Sequence, residues 1–288
     1  MADHPNHFAI GGDLVVHRIG FGAARLHGKA TWGEPADPEA ARAVLRRAAE
    51  LGVNFIDTAE AYGPHHSERL IADALSPFAD DMVIATKCGM RRSWPEGVAH
   101  PLIHPEGGRA AIRASLDGSL ARLRLDRIEL YQLHRLDPEM PLETTIEALA
   151  ELRDEGRVRH LGLSEVTVEE IKRARQVAPI ATVQNRYSLT DRDHEDVLAY
   201  CEAEGIAFIP WYPLGAGSLT AADGPLAPVA ARHGASPGQV ALAWLLARSP
   251  VILAIPGTTS IAHLEQNCAA TNLHLAPSDL REVEQLAA

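Results

Sequence analysis

Residues 82–87 read Met82-Val83-Ile84-Ala85-Thr86-Lys87, an apolar run of strand length that ends on a lysine. Two other stretches have the same form: Asn54-Phe55-Ile56-Asp57-Thr58 carries an aspartate near its end, and 128–134 (IELYQLH) closes on His134. Short runs of this kind, bounded by turn signals, read as strands buried on both faces. Working outward, similar runs occupy 19–22, 160–164, 181–185, 206–211 and 251–256, and a segment with helical spacing is available after each. The clearest lie near 38–51 and 67–75. Strict strand–helix alternation implies parallel pairing with the helices outside. Eight units would close into a (β/α)8 TIM barrel, with a doubly wound open sheet as the structural alternative. Residues 8–16, with Gly11-Gly12-Asp13 at their centre, read as a β-hairpin ahead of the repeat, placed to cap the barrel bottom. No linker divides the chain, so residues 1–288 read as a single domain.

Composition excludes several classes. A net charge of −11 without a Lys/Arg cluster argues against nucleic acid as a partner. No segment approaches the roughly 18 apolar residues of a membrane span, and the N-terminus lacks a basic stretch followed by an apolar one, so a cytoplasmic protein is expected. The three cysteines, Cys88, Cys201 and Cys268, are widely spaced and suit reduced thiols. Although there are 14 histidines, none lies in a metal-ligand spacing, and no catalytic metal is expected.

Asp57, Lys87 and His134 fall at the carboxyl ends of three successive strands, and Tyr62 lies in the loop after Asp57. Adjacent strand ends in a parallel barrel share the rim that carries active sites, so the four residues can converge on one cleft. Taken singly, each has a plain structural reading: an Asp57–Lys87 ion pair, a loop-capping tyrosine and a buried histidine. Together they fit carbonyl reduction. Hydride attack puts negative charge on the carbonyl oxygen, which Tyr62 can protonate. Lys87 is expected to lower the pKa of Tyr62, Asp57 to hold Lys87 in place, and a neutral His134 to donate a second hydrogen bond to the oxygen. Two long interruptions, 89–108 and 212–225, leave the same rim.

The motifs GVNFIDTAEAYG (52–63), VIATKCG (83–89) and IELYQLHRLDP (128–138) resemble the aldo-keto reductase family. HLGLSEV, VQNRYSL, IPWYPLGAG, ALAWLLARSPVILAIPGTTS and HLEQN follow in the family's order, so the likeness runs over nearly the whole chain. It implies that Asp57, Tyr62, Lys87 and His134 are a catalytic tetrad, with cofactor entering first. It further implies that Ser164 and Gln184 bind the nicotinamide carboxamide, that Trp211 stacks on the ring, and that Leu214 and Gly215 pass near the pyrophosphate. Gly257, Thr258, Thr259 and Ser260 precede a helix beginning near Ile261, where free N–H groups suit a phosphate, with His263, Gln266 and Asn267 beside them. Gly20-Phe21-Gly22 and Gly215-Ala216-Gly217 each lack the third residue of a Rossmann fingerprint, so a dinucleotide would sit on the barrel rim.

Departures from the family are informative. Glu165 stands where asparagine is frequent, and the lysine near Gly257 and arginine near His263 of many NADP-dependent members are both missing. NADP(H) is the favoured cofactor and NAD(H) the rival. Without a long closing loop the pocket is expected to be open, with Trp32 and Trp94 as substrate-lining candidates. A weaker likeness is to bacterial pyridoxal-reductase-like members. The expected activity is NAD(P)H-dependent reduction of small aldehydes or ketones. An NAD-dependent dehydrogenase of a sugar or secondary alcohol, or a cofactor-sensing regulatory subunit, are the alternatives.

Overall fold

A computed structural model describes residues 6–286. Its organising element is a parallel sheet of seven strands whose spatial order follows the chain. β3 (Phe21–Gly22), β4 (Phe55–Asp57), β5 (Val83–Cys88), β8 (Ile128–Leu133), β9 (Val158–Ser164), β10 (Thr182–Gln184) and β11 (Ala207–Phe208) are each hydrogen-bonded to the next. Helices lie between successive strands: α1 (Pro38–Glu50), α2 (His66–Leu75), α3 (Arg109–Leu123), α4 (Leu142–Asp154), α5 (Val168–Val177) and α6 (Glu195–Glu204). Further along the chain come α7 (Ala227–Arg232), α8 (Pro237–Arg248), α9 (Ile261–Ala269) and α10 (Pro277–Leu286). The fold is the expected (β/α)8 barrel architecture, with one difference at its seam. The eighth segment, 251–256, forms no ladder of its own. It joins the edges through two isolated parallel bridges, Phe208 with Ile252 and Ile19 with Ala254. Arg18 gives the physical reason. Its buried guanidinium takes the carbonyl of Ile252 at 3.1 Å, with those of Leu246 and Ser249, so side-chain bonds replace ladder bonds there.

The period-2 pleat divides each strand between two cores. Outward residues such as Ile56, Ile84, Tyr131, Leu161 and Val183 pack among the helices. Inward residues Phe55, Val83, Ala85, Leu130, Ala207, Ile209, Leu253 and Ile255 fill the barrel. The hairpin of β1 (His7–Ile10) and β2 (Leu14–His17) adds Ile10, Leu14 and Val16 to that interior cluster. Asn54, immediately before β4, accepts from His17 N–H at 2.9 Å and donates to Val15 O at 3.1 Å, fixing the hairpin against the barrel bottom. The 89–108 interruption contains a second hairpin, β6 (Met90–Ser93) with β7 (Leu102–Pro105). Among the described residues, no helix is long and apolar enough to cross a membrane.

Candidate active site

The inward face stays inward past the apolar layer. Asp57 follows Phe55, Lys87 follows Ala85, and Gln132 and His134 follow Leu130, so the polar side chains are the upper rungs of the ladder that fills the barrel. Register sets Asp57 beside Ala85 and Lys87 beside Gln132. Lys87 Nζ lies 2.8 and 2.6 Å from the two Asp57 oxygens, 2.9 Å from Thr58 O and 3.5 Å from Tyr62 Oη. An ammonium has three protons, and carboxylate, carbonyl and phenol account for them. Gln184 and Gln132 also donate to Asp57 Oδ1, at 2.8 and 3.2 Å, so this buried carboxylate is compensated by a cation and two amides. Without such partners, burying the pair would be strongly unfavourable. The Tyr62 and His134 rings meet edge to face with centroids 5.8 Å apart.

Burial pushes the Tyr62 phenol above its usual value, and although Lys87 pulls it back, the net shift is upward. Lys87 acts in the expected direction, but the desolvation that a sequence cannot display outweighs it. Burial also works against charge on Lys87, but Asp57 and Tyr62 prevail and hold it protonated. His134 is driven well below the ordinary imidazole value by burial first, then by the charges of Lys87, Arg135 and Arg92. It is neutral at physiological pH, and its buried Nδ1 has no partner among the described residues.

These groups sit in a cleft of about 1080 Å³, which Asp57, Tyr62 and His134 line together with Ser164, Gln184 and Trp211. Leu214, Gly257, Thr258, Thr259, His263, Gln266 and Asn267 form its far end. Residues 18–288 match the Aldo/keto reductase family model. The chain belongs to the aldo/keto reductase family. It is 45% identical to an uncharacterised oxidoreductase of Schizosaccharomyces pombe, over 95% of this chain and 88% of that one. It is 42% identical to pyridoxine 4-dehydrogenase of Escherichia coli, over 95% and 96% of the two chains. An aldo-keto reductase from Klebsiella pneumoniae in complex with NADPH superposes with a TM-score of 0.81, at 28% identity, covering 98% of this chain and 94% of that one.

In this aldo/keto reductase the residues fit a dinucleotide. The cleft runs from the tetrad to the N-terminus of α9, where Ser260 caps the helix by accepting from His263 N–H at 3.4 Å. A Cβ on Gly257 would come within 2.5 Å of Gly22 O, so only glycine permits the close approach of two strand ends at this rim. Ser260 and Gly215 are not among the lining residues; Gly215 opens the 3-10 turn 215–220 beside the cleft. Trp32 and Trp94 are not among the residues that line this cleft. They pack edge to face at 5.7 Å; Arg92 covers the Trp32 ring, and the Trp94 indole N–H is spent on Val98 O at 2.7 Å. Sequence reasoning missed the cleft residues Arg25, His27, Lys29 and Arg135. The signal for Arg135 was its place directly after His134; the other three lie in the loop after β3, where nothing in the pattern singles them out.

Proposed function

We propose that the protein is an NADP(H)-dependent carbonyl reductase of small aldehydes and ketones, with pyridoxal-like aromatic aldehydes in its range and the cytosol as its compartment. The observation that carries this reading is the Tyr62 hydroxyl, 3.5 Å from a buried Lys87 that Asp57 neutralises, beside a neutral His134 in a cleft of about 1080 Å³. Bound nicotinamide supplies the hydride. Tyr62, kept protonated by burial, delivers its proton to the carbonyl oxygen, and Lys87 stabilises the phenolate left behind. Neutral His134 hydrogen-bonds the same oxygen and orients it, while Asp57 holds Lys87 charged and fixed.

Ser164 and Gln184 would hold the carboxamide and Trp211 the ring face. Gly257, Thr258 and Thr259 with Asn267 would take the adenosine end. The Arg25 stem packs against Gly257, but its guanidinium donates to Ala216 O at 3.2 Å and lies over the Tyr212 ring, so it would face the pyrophosphate stretch and does not replace the lysine and arginine missing from 257–267. That absence is also what favours the rival reading, an NAD-dependent dehydrogenase running the same steps in reverse. Steady-state oxidation of NADPH and NADH against benzaldehyde, pyridoxal and glyceraldehyde separates the two. NADPH consumption that needs both an aldehyde and Tyr62, with kcat reduced about 10²-fold or more in Tyr62→Phe, supports the reductase. Near-normal turnover in that variant removes Tyr62 from its role.

A further inference from the structure

Glu165 directly follows Ser164 at the end of β9, with a φ of 57°, a left-handed conformation that ordinary side chains adopt only under constraint. Its carboxylate oxygen Oε1 accepts the indole Nε1–H of Trp211 and, at 3.0 Å, the backbone N–H of Arg186. The Trp211 ring is held from two further directions. The Arg186 guanidinium lies 5.7 Å from the ring centroid and is itself paired with Asp191 at 2.6 Å; Tyr212 meets the ring edge-on at 4.7 Å. Trp211 lines the cleft next to Ser164 and Gln184.

We infer that Glu165 is a positioning residue with an electrostatic effect. It fixes the plane of Trp211 and, through the Nε1–H bond, enriches the indole face in negative charge, so the cleft prefers the cationic, oxidised nicotinamide more than it would with a neutral residue at 165. The inference rests on the reading that Trp211 is the nicotinamide platform. A hydrogen bond to an ionised acceptor is stronger and more polarising than one to a neutral acceptor, and an aromatic face attracts a cation through its quadrupole. Asp191 offsets the opposing charge of Arg186, whereas among the described residues Glu165 forms no salt bridge. A neutral amide at this position would carry no charge to the indole. Seen this way, Glu165 does not replace a lost carboxamide contact.

The test is calorimetric titration of NADP⁺ and of NADPH into the full-length protein, as wild type, Glu165→Gln and Trp211→Tyr, and as the double variant. Glu165→Gln keeps an acceptor of the same shape and removes the charge; Trp211→Tyr removes the indole N–H. The ratio Kd(NADP⁺)/Kd(NADPH) is expected to rise about threefold to fivefold in Glu165→Gln, and to be unaffected by that change in the Trp211→Tyr background. In the cofactor-free protein the indole N–H proton resonance of Trp211 should move upfield in Glu165→Gln. An unchanged ratio in Glu165→Gln, or the same change with tyrosine at 211, overturns the inference while leaving the reductase reading intact. Failure of the wild type to bind either nucleotide overturns both.

Discussion

Tyr62 feels opposing influences, and their balance sets a pH profile. Burial raises its pKa and depresses that of His134, so protonated phenol and neutral imidazole coexist across the neutral range. The group that gives up the proton must be protonated, so aldehyde reduction should hold level from about pH 6 to 9 and fall above about pH 10 as the phenol ionises. Measured as kcat/KM against pH, a fall lying well to the acid side of the ordinary imidazole range, where His134 loses its proton, would instead assign the proton to His134. That Asp57, Tyr62, Lys87 and His134 would meet could be read from the sequence because each ends, or closely follows, an apolar run. The direction of the Tyr62 shift could not, since burial belongs to the assembled site. The contacts of the two tryptophans could not be read for a related reason: an aromatic residue in a rim loop signals packing without saying against what, and Arg92 lies over Trp32 while Val98 O accepts the Trp94 indole N–H. At the adenosine end, His263 lines the cleft in the first turn of α9. His263→Arg is expected to raise the preference for NADPH over NADH about tenfold, since a charge-assisted bond to phosphate contributes roughly 1.5 kcal/mol or more. Equal Kd changes for the two cofactors would remove His263 from the 2′-phosphate site.

Elements with a hydrophobic period were legible and those without one were not. β4, β5, β8 and β9 fall within two residues of the runs that announced them, because residues mostly buried on both faces leave a predominantly apolar signature. The hairpin of β6 and β7 was missed: Arg91, Arg92 and Ser93 offer no apolar alternation, and its two strands are largely exposed or half-buried. Yet this hairpin supports the site. Arg92, on β6, donates to Thr31 O at 3.0 Å, Ala30 O at 2.6 Å and Ala61 O at 3.3 Å, tying the loop after β3 to the loop that carries Tyr62. The two loops also pair directly, Gly33 N–H to Gly63 O and Gly63 N–H to Thr31 O, each at 3.1 Å. Removing the clamp should therefore loosen Tyr62 without unfolding the barrel. Arg92→Leu is expected to lower kcat/KM about tenfold to a hundredfold, since a misplacement of about 1 Å can have that effect, while denaturant titration records a loss of only about 1–3 kcal/mol. Unchanged kinetics in a folded variant would confine the clamp to a structural role.

Across the whole molecule the barrel is a ring with one weak seam. Seven strands share continuous ladders, whereas 251–254 meets β11 on one side and 18–20 on the other through single bridges and four backbone bonds: Phe208 N–H to Val251 O, Leu253 N–H to Phe208 O, Gly20 N–H to Ala254 O and Ala254 N–H to Arg18 O. The sequence foresaw an eighth strand because 251–256 is as apolar as the others. It did not foresee that Arg18 would take over carbonyls at the seam. This guanidinium is 2% exposed and has no carboxylate beside it among the described residues. Burial lowers its pKa to about 10, so it still carries its charge at neutral pH, compensated by the carbonyls of Ile252, Leu246 and Ser249. Closure of the ring thus depends on one buried cation that joins the first barrel segment to the end of α8 and to the eighth. Arg18→Met fills much of the space but takes the guanidinium donors from three buried carbonyls, of which Ser249 O keeps the Ile252 N–H at 3.4 Å, and the groups left under-satisfied add to the lost charge-assisted bonds. The expected loss is about 3–5 kcal/mol, seen as a fall in Tm of roughly 10 °C, with Arg18→Lys intermediate because one ammonium reaches fewer of the three oxygens. A Tm within about 2 °C of wild type for Arg18→Met would mean that the apolar contacts of 251–256 close the barrel without the guanidinium.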